Sequence, residues 1–176
     1  MRQMKLLLLI IGLALVRGTH DHEEHHENLI GSWHTIAVAA NNTAKIKKGG
    51  PFRLSLHQIM AKGDKLYGEF SERKNDKCIW HFLESHKTDK ENQYVSIYSG
   101  ANIFYFTHVK ADEYIMATLY NYDASDVTLV LMLVARHPDV KEEIKKKFKE
   151  LCLNNNLNEE NIVYFTRYDQ CEELAP

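Results

Sequence analysis

The chain has 176 residues, of which 44% are hydrophobic and 26% charged, and its formal net charge is −2. This composition is typical of one globular domain and excludes extended disorder. The small net charge, with no basic cluster among aromatic residues, gives no basis for binding nucleic acid.

The first 18 residues predict a secretory signal peptide. Arg2 and Lys5 precede an apolar run, residues 6–16, that is too short to span a bilayer but suits a signal core, and Gly18 suits a cleavage site. No later apolar run is long enough to span a membrane. We therefore expect a secreted, extracellular protein without membrane insertion.

Residues 19–28 form a polar stretch with four histidines. It could bind copper or zinc near a free amino terminus, or it could be a solvated tail. Because these histidines have no spaced partners on a rigid element, we predict a flexible tail and no metal site. Further on, Asn41-Asn42-Thr43 is a sequon, which predicts a glycan on Asn41 in a secreted chain.

Eight strand-like runs follow, in which apolar and polar residues alternate. Short turns join them, as in antiparallel meanders, so the candidate architectures are a sandwich and a closed up-and-down barrel. A closed barrel has no free edge strands. The runs cover residues 31–40, 52–59, 66–70, 78–85, 94–98, 103–109, 114–120 and 127–134.

One amphipathic helix is predicted after the last strand, with Pro138 in its first turn and the asparagines 154–156 at its end. A short run, residues 161–165, follows it. The apolar stripe predicts a helix packed on the outside of the sheet. Its members are Val140, Ile144, Phe148, Leu151 and Cys152.

The chain has three cysteines, which in an oxidising compartment predicts one disulfide and one leftover thiol. Cys152 falls on the apolar face of the helix, where a free thiol behaves as a small hydrophobic group. We pair Cys78, at the start of a strand, with Cys171 near the C-terminus.

Three local motifs complete the pattern: Gly31-Ser32-Trp33-His34-Thr35-Ile36, Phe52-Arg53-Leu54 with Gln58-Ile59, and Arg136-His137-Pro138-Asp139. Together with the features above, they resemble the lipocalin family, and most closely its urinary, salivary and nasal members, which carry odorants and pheromones and include mammalian allergens. The family's Thr-Asp-Tyr signature is not intact here. The resemblance implies an all-β domain at residues 29–176, an eight-stranded antiparallel up-and-down β-barrel with one C-terminal α-helix.

The resemblance also implies roles for individual residues. Trp33 would close the barrel floor and Arg136 would lie over it, a structural pair outside the ligand site. The inward set is apolar and uncharged, with Tyr98, Ser96 and His81 as candidate polar groups. Such residues could also fill a solid core, but Gly68 and Ala117 favour a cavity. The ligand-binding set is Phe52, Leu54, Leu56, Ile59, Leu66, Gly68, Phe70, Leu83, Tyr98, Phe104, Phe106, Ile115, Ala117, Leu119, Val130, Met132 and Val134.

The implied function is carriage of a small hydrophobic ligand, such as an odorant, a pheromone or a lipid-like molecule. The alternatives are an immune or reproductive-tract protein that acts through its surface, and a lipid-isomerising lipocalin with a thiol inside the barrel. Because no cysteine falls on an inward face and no catalytic motif is present, we predict no enzyme, no catalytic residues and no cofactor. The protein partner implied is a cell-surface receptor, and the alternatives for assembly are a monomer and a weak homodimer.

Overall fold

The computed structural model describes residues 28–124 and 126–171. The predicted signal peptide and nearly all of the predicted histidine-rich tail lie outside the described residues. Within the described part, no helix combines the length and the apolar character that crossing a membrane would need.

The chain forms antiparallel strands and one α-helix. The predicted alternation is the cause, because it gives each strand one face for the interior and one for the exterior. The strands are β1 (Gly31–Ser32), β2 (His34–Ala40), β3 (Ser55–Lys62), β4 (Lys65–Lys74), β5 (Lys77–Lys87), β6 (Gln93–Ile97), β7 (Ala101–Lys110), β8 (Tyr114–Tyr122), β9 (Val127–Ala135) and β10 (Ile162–Tyr164), and the helix is α1 (Glu142–Asn154).

The predicted barrel fold is confirmed. Strands β3 to β9 form a meander, and the run 31–40 reaches both of its edges, since β1 pairs with β3 and β2 pairs with β9. This run is two strands, not one, because the chain changes partner at Trp33. The ladder is not continuous there, but Trp33 N donates to His57 O (3.0 Å) and Leu56 N donates to Thr35 Oγ1 (2.8 Å). These bonds bring the two edges together.

Helix α1 packs on the outside of the barrel, as its apolar stripe predicted. Ile144, Phe148 and Cys152 are its buried residues. They pack against the outward side chains of the strands beneath, so the helix covers a face that would otherwise expose apolar surface to water. The main strand residues in this cluster are Ile36, Ala37, Ala39, Tyr114, Met116, Leu131, Leu133 and Ala135.

The predicted start of the helix is wrong. Pro138 lies in a bend, and α1 begins only at Glu142, after the extended residue Lys141. The physical reason lies just upstream, where Arg136 N donates to Glu113 O at 2.9 Å. This bond holds the chain against the β7–β8 turn after β9 has ended, so the helix starts later.

Residues 162–171, the C-terminal segment, are fastened along the outside of the barrel. Strand β10 pairs with β2, and Phe165 N donates to Ile36 O at 2.9 Å. The Arg53 guanidinium donates to Asp169 Oδ1 from Nε (3.0 Å) and Nη2 (2.8 Å). The segment therefore covers the edge of β2 that β9 leaves free.

The Cys78–Cys171 disulfide ends this segment and confirms the predicted pairing, with a Cα–Cα distance of 5.9 Å. Cys152 is free and buried beneath α1. Burial raises the pKa of the Cys152 thiol to about 12.

Candidate functional site

The barrel encloses a cavity of about 130 Å³. Inward positions of β3 to β9 line it, together with Phe52, Leu54 and Tyr98 from the connections between strands. Among the lining residues there is no charged side chain and no cysteine. The cavity is comparable in size to one that holds a single benzene ring.

The structure places every residue of the predicted ligand-binding set around this cavity; contact with a ligand stays a prediction. Ser96 also lines the cavity, whereas His81 does not. The lining also includes Ser85 and Asn102, which were missed, and part of Tyr67, whose ring stacks on the exposed Phe82 with the ring centroids 5.4 Å apart. Alternation could have found the two missed residues, since Ser85 follows Leu83 by two residues and Asn102 precedes Phe104 by two.

The interpretation of Gly68 needs correction. We expected this glycine to leave open volume, but the ring of Phe70 occupies the space in front of it, where an added Cβ would collide with that ring. Both residues lie on the inward face of β4, two positions apart. Gly68 therefore lets Phe70 lie flat along the wall, and Phe70 sets the volume that remains.

Trp33 and Arg136 lie at one end of the barrel, outside the cavity lining. Trp33 is 1% exposed, and its Nε1 donates to Leu29 O at 2.8 Å. The guanidinium carbon of Arg136 lies 3.8 Å from the indole centroid. Trp33 belongs to the same buried cluster as Leu66 and Ile115, which line the cavity, so the indole lies at the end of the barrel that this cluster fills.

Tyr98 lies towards the opposite end, beside the contact between Glu72 and His81. Leu66, at the Trp33 end, and Glu72, near Tyr98, both lie on β4. They are six residues apart, which corresponds to roughly 20 Å along the strand. Glu72 Oε1 is 3.2 Å from His81 Nε2, and the His81 ring meets the Tyr98 ring at 5.4 Å. Burial, with a smaller effect of the Glu72 charge, raises the pKa of Tyr98 to about 12. The phenol therefore stays protonated and can donate a hydrogen bond.

Other predicted chemistry lies away from the cavity. In the part of the chain that the structure covers, no group of three or more His, Cys, Asp or Glu side chains is placed to hold a metal ion. Asn41, the predicted glycan site, is exposed just after β2, and its Oδ1 accepts a hydrogen bond from Leu129 N at 3.0 Å.

Comparison with known proteins gives the family. The model of the Lipocalin / cytosolic fatty-acid binding protein family matches residues 30–169. Trichosurin of Trichosurus vulpecula is 36% identical over 96% of this chain and 100% of its own length. Major urinary protein 18 of Mus musculus is 32% identical over 96% of this chain and 97% of its own length.

Solved structures of similar proteins have the same fold. The crystal structure of possum milk whey lipocalin trichosurin with bound 4-ethylphenol has a TM-score of 0.75 and 35% identity, covering 80% of this chain and 98% of that one. Odorant Binding Protein OBP1 has a TM-score of 0.78 at 22% identity, covering 84% and 97%, and supports the fold alone. The match over most of the chain, the meander closed by the run through Trp33 and the helix packed outside it lead to one conclusion: this chain belongs to the lipocalin family.

Proposed function

We propose that this protein is a secreted carrier that holds one small, uncharged and largely apolar molecule inside the barrel. The observation that carries the proposal is the cavity of about 130 Å³, whose lining has no charged side chain. A charged ligand would lose its hydration there without gaining a partner, which is costly. An apolar ligand gains about 25 cal/mol for each Å² removed from water.

The relatives support this proposal. Trichosurin was crystallised with 4-ethylphenol, and other structural neighbours are odorant-binding proteins. A phenol with a short alkyl chain has one ring, in keeping with the cavity volume. A micromolar Kd would correspond to about −8 kcal/mol, or about −0.9 kcal/mol for each of its nine heavy atoms, within the limit for small ligands.

Isothermal titration calorimetry with 4-ethylphenol tests the carrier function. We expect a Kd on the order of micromolar. Ala117→Phe puts a ring into the cavity from β8 and is expected to weaken binding at least tenfold. Its matched control is Ala101→Phe, which makes the same change at an exposed position of β7 and should leave the Kd unchanged. Equal binding by wild type and Ala117→Phe would contradict the proposal, as would no binding by wild type.

Secretion is part of the same proposal. The signal-like sequence at residues 1–18 and the Cys78–Cys171 disulfide both suit an oxidising extracellular compartment. Intact-mass measurement of protein secreted by cultured mammalian cells tests this. We expect the chain to begin near Thr19 and to carry a glycan at Asn41 that is lost on enzymatic deglycosylation. Retention of residues 1–18 would contradict secretion by this signal.

We propose no catalytic role. The lipid-isomerising lipocalins use a thiol inside the barrel, whereas here the buried free thiol, Cys152, lies between the helix and the outer face of the sheet. No serine, cysteine or histidine arrangement typical of nucleophilic catalysis was found in the sequence.

One observation favours a second candidate, action through the outer surface. Trp80 and Phe82 are 54% and 61% exposed on the outside of β5. Large exposed aromatic residues often mark contact sites. Sedimentation velocity at increasing concentration tests self-association through this face: Trp80→Ser with Phe82→Ser should then reduce it, and a wild type that stays monomeric throughout would argue against it.

A further inference from the structure

A row of polar side chains crosses the inner wall of the barrel. Five consecutive strands, β5 to β9, each contribute one member, and each member is the registered partner of the next. Four of the members are buried, with exposed fractions of 7% or less. Such a row is unexpected in an otherwise apolar interior, because a buried polar group without a partner is costly. The members are Ser85, Ser96, Asn102, Asn121 and Thr128.

The asparagines in this row satisfy each other. Asn121 Nδ2 donates to Asn102 Oδ1 at 2.9 Å, and Asn121 Oδ1 accepts from Lys45 Nζ at 2.7 Å. Asn102 Nδ2 donates to the backbone oxygens of Tyr98 and Gly100. Lys45 is itself paired with a carboxylate. The two asparagines therefore have their partners within the protein, whereas the buried Thr128 Oγ1, which does not line the cavity, has none among the described residues.

The serines differ. Ser85 and Ser96 lie directly opposite each other on β5 and β6, and both line the cavity. Ser85 is only 7% exposed. Within residues 28–124 and 126–171, neither hydroxyl has a hydrogen-bond partner, although each can donate one bond and accept two. Two adjacent hydroxyls thus face an enclosed space with their hydrogen-bonding capacity unused.

The rest of the cavity defines what these hydroxyls can receive. The walls from β3, β8 and β9 are apolar, formed by residues such as Leu56, Ile115 and Val130. Neither the Glu72–His81 pair nor the Lys45–Asp123 pair lines the cavity, and the members of each pair face each other. A ligand that fits this space has an apolar body on one side and a single uncharged oxygen on the other.

We propose that Ser85 and Ser96 form a polar anchor that selects ligands carrying one hydroxyl or carbonyl oxygen over hydrocarbons of the same shape. This inference rests on the proposed carrier function. The ligand oxygen takes the unused hydrogen bonds of the two serines, while its ring or short chain lies against the apolar wall. Tyr98, two residues beyond Ser96 on the same side, extends the polar edge without forming the anchor.

A pair of isosteric probes tests the anchor. 4-Ethylphenol and 4-ethyltoluene differ by a hydroxyl in place of a methyl group, and their Kd ratio in each variant isolates the effect of the oxygen. Ser85→Ala with Ser96→Ala is expected to weaken 4-ethylphenol binding about tenfold. The Kd for 4-ethyltoluene should stay within about twofold.

Two single variants serve as comparisons. Ser55→Ala removes a buried hydroxyl on β3 that does not line the cavity, and should not change the ratio. Tyr98→Phe should change it less than the double serine variant. A ratio that moves only in Tyr98→Phe, or that stays fixed in the serine variant, would overturn the anchor.

A measurement on the unmodified protein avoids any dependence on variant folding. In NMR spectra of the wild-type complex with 4-ethylphenol, ring protons beside the hydroxyl should show contacts to the Hβ protons of Ser85 and Ser96. The ethyl group should contact Val130. The reversed orientation would overturn the anchor while leaving the carrier function intact, whereas failure of both probes to bind would overturn the carrier function itself.

Discussion

The guanidinium of Arg136 stacks on the indole of Trp33 and also donates to four backbone oxygens around it. Nη1 bonds to Ser32 O, Nη2 to Asn28 O and Ile30 O, and Nε to Ala111 O. One side chain thus joins the start of the barrel, the β7–β8 turn and the end of β9. Partial burial lowers its pKa, but a guanidinium remains protonated at any ordinary pH.

Replacement of Trp33 or Arg136 should lower the free energy of unfolding. Trp33→Ala is expected to cost about 3–5 kcal/mol, as for other large core truncations, and Arg136→Lys about 1–3 kcal/mol through lost hydrogen bonds. A double-mutant cycle by urea denaturation should give a coupling of about 0.5–2 kcal/mol.

The control is Arg73→Lys, because Arg73 also lies over an aromatic ring, Tyr168, but in an exposed setting. That change should cost less than about 1 kcal/mol. A Trp33→Ala protein with the stability of wild type would contradict the structural role of the pair.

Loss of the disulfide should lower the free energy of unfolding by several kcal/mol. The bridge joins residues separated by 93 positions, so the chain-entropy model gives about 4–5 kcal/mol, and measured values are often smaller. Cys78→Ser with Cys171→Ser should lower the urea midpoint accordingly, while Cys152→Ala serves as the cysteine control. In the denatured wild type, one thiol should react with a thiol reagent. Three reactive thiols in protein from the secreted source would contradict the bridge.

Ionisation of the buried Cys152 thiol should contribute to the pH dependence of the free energy of unfolding. Its pKa is raised from 9.0 to about 12, so below pH 9 it is protonated in both states and has no effect. Between pH 9 and about 12 it ionises only in the unfolded chain, and stability falls by up to about 1.4 kcal/mol per pH unit. Cys152→Ala should therefore show a shallower alkaline decline in urea denaturation than wild type. Identical slopes would contradict this.

Phe70 should control the size of ligand that the cavity accepts. Phe70→Ala removes the ring that lies over Gly68, so the affinity for 4-butylphenol relative to 4-ethylphenol should rise about tenfold, equivalent to about 1.4 kcal/mol. Phe82→Ala is the matched control, because its ring is exposed on the outside of β5. An unchanged ratio in Phe70→Ala would show that another residue limits the cavity.

Sequence alternation was enough to predict the strands, because a period of two gives each strand one buried face. The choice of a barrel over a sandwich, and the set of inward residues, came from the family resemblance. It could not reveal the change of strand partner at Trp33, which depends on the backbone bonds to His57 and Leu56. The late start of α1 was likewise set by a contact, that of Arg136 with the β7–β8 turn, which lies far away in sequence.

The candidate site was predicted less completely. Apolar lining residues follow from alternation and from the family resemblance, whereas Ser85 and Asn102 were not among the polar residues predicted near the cavity. Whether Gly68 leaves a space or is covered by a neighbour depends on the rotamer of Phe70. Neither periodicity nor composition contains that information.

The C-terminal segment adds a consequence for how the chain matures. A protein leaves the ribosome from its N-terminus onward, so the strand that covers β2 and the cysteine that pairs with Cys78 emerge after all the other strands and the helix. Until residues 162–171 have been translated, the free side of β2 is an unprotected strand edge able to pair with other chains. A premature stop after α1 would leave every cavity-lining residue in place, and yet we expect the product to be retained and degraded by secretory quality control rather than exported.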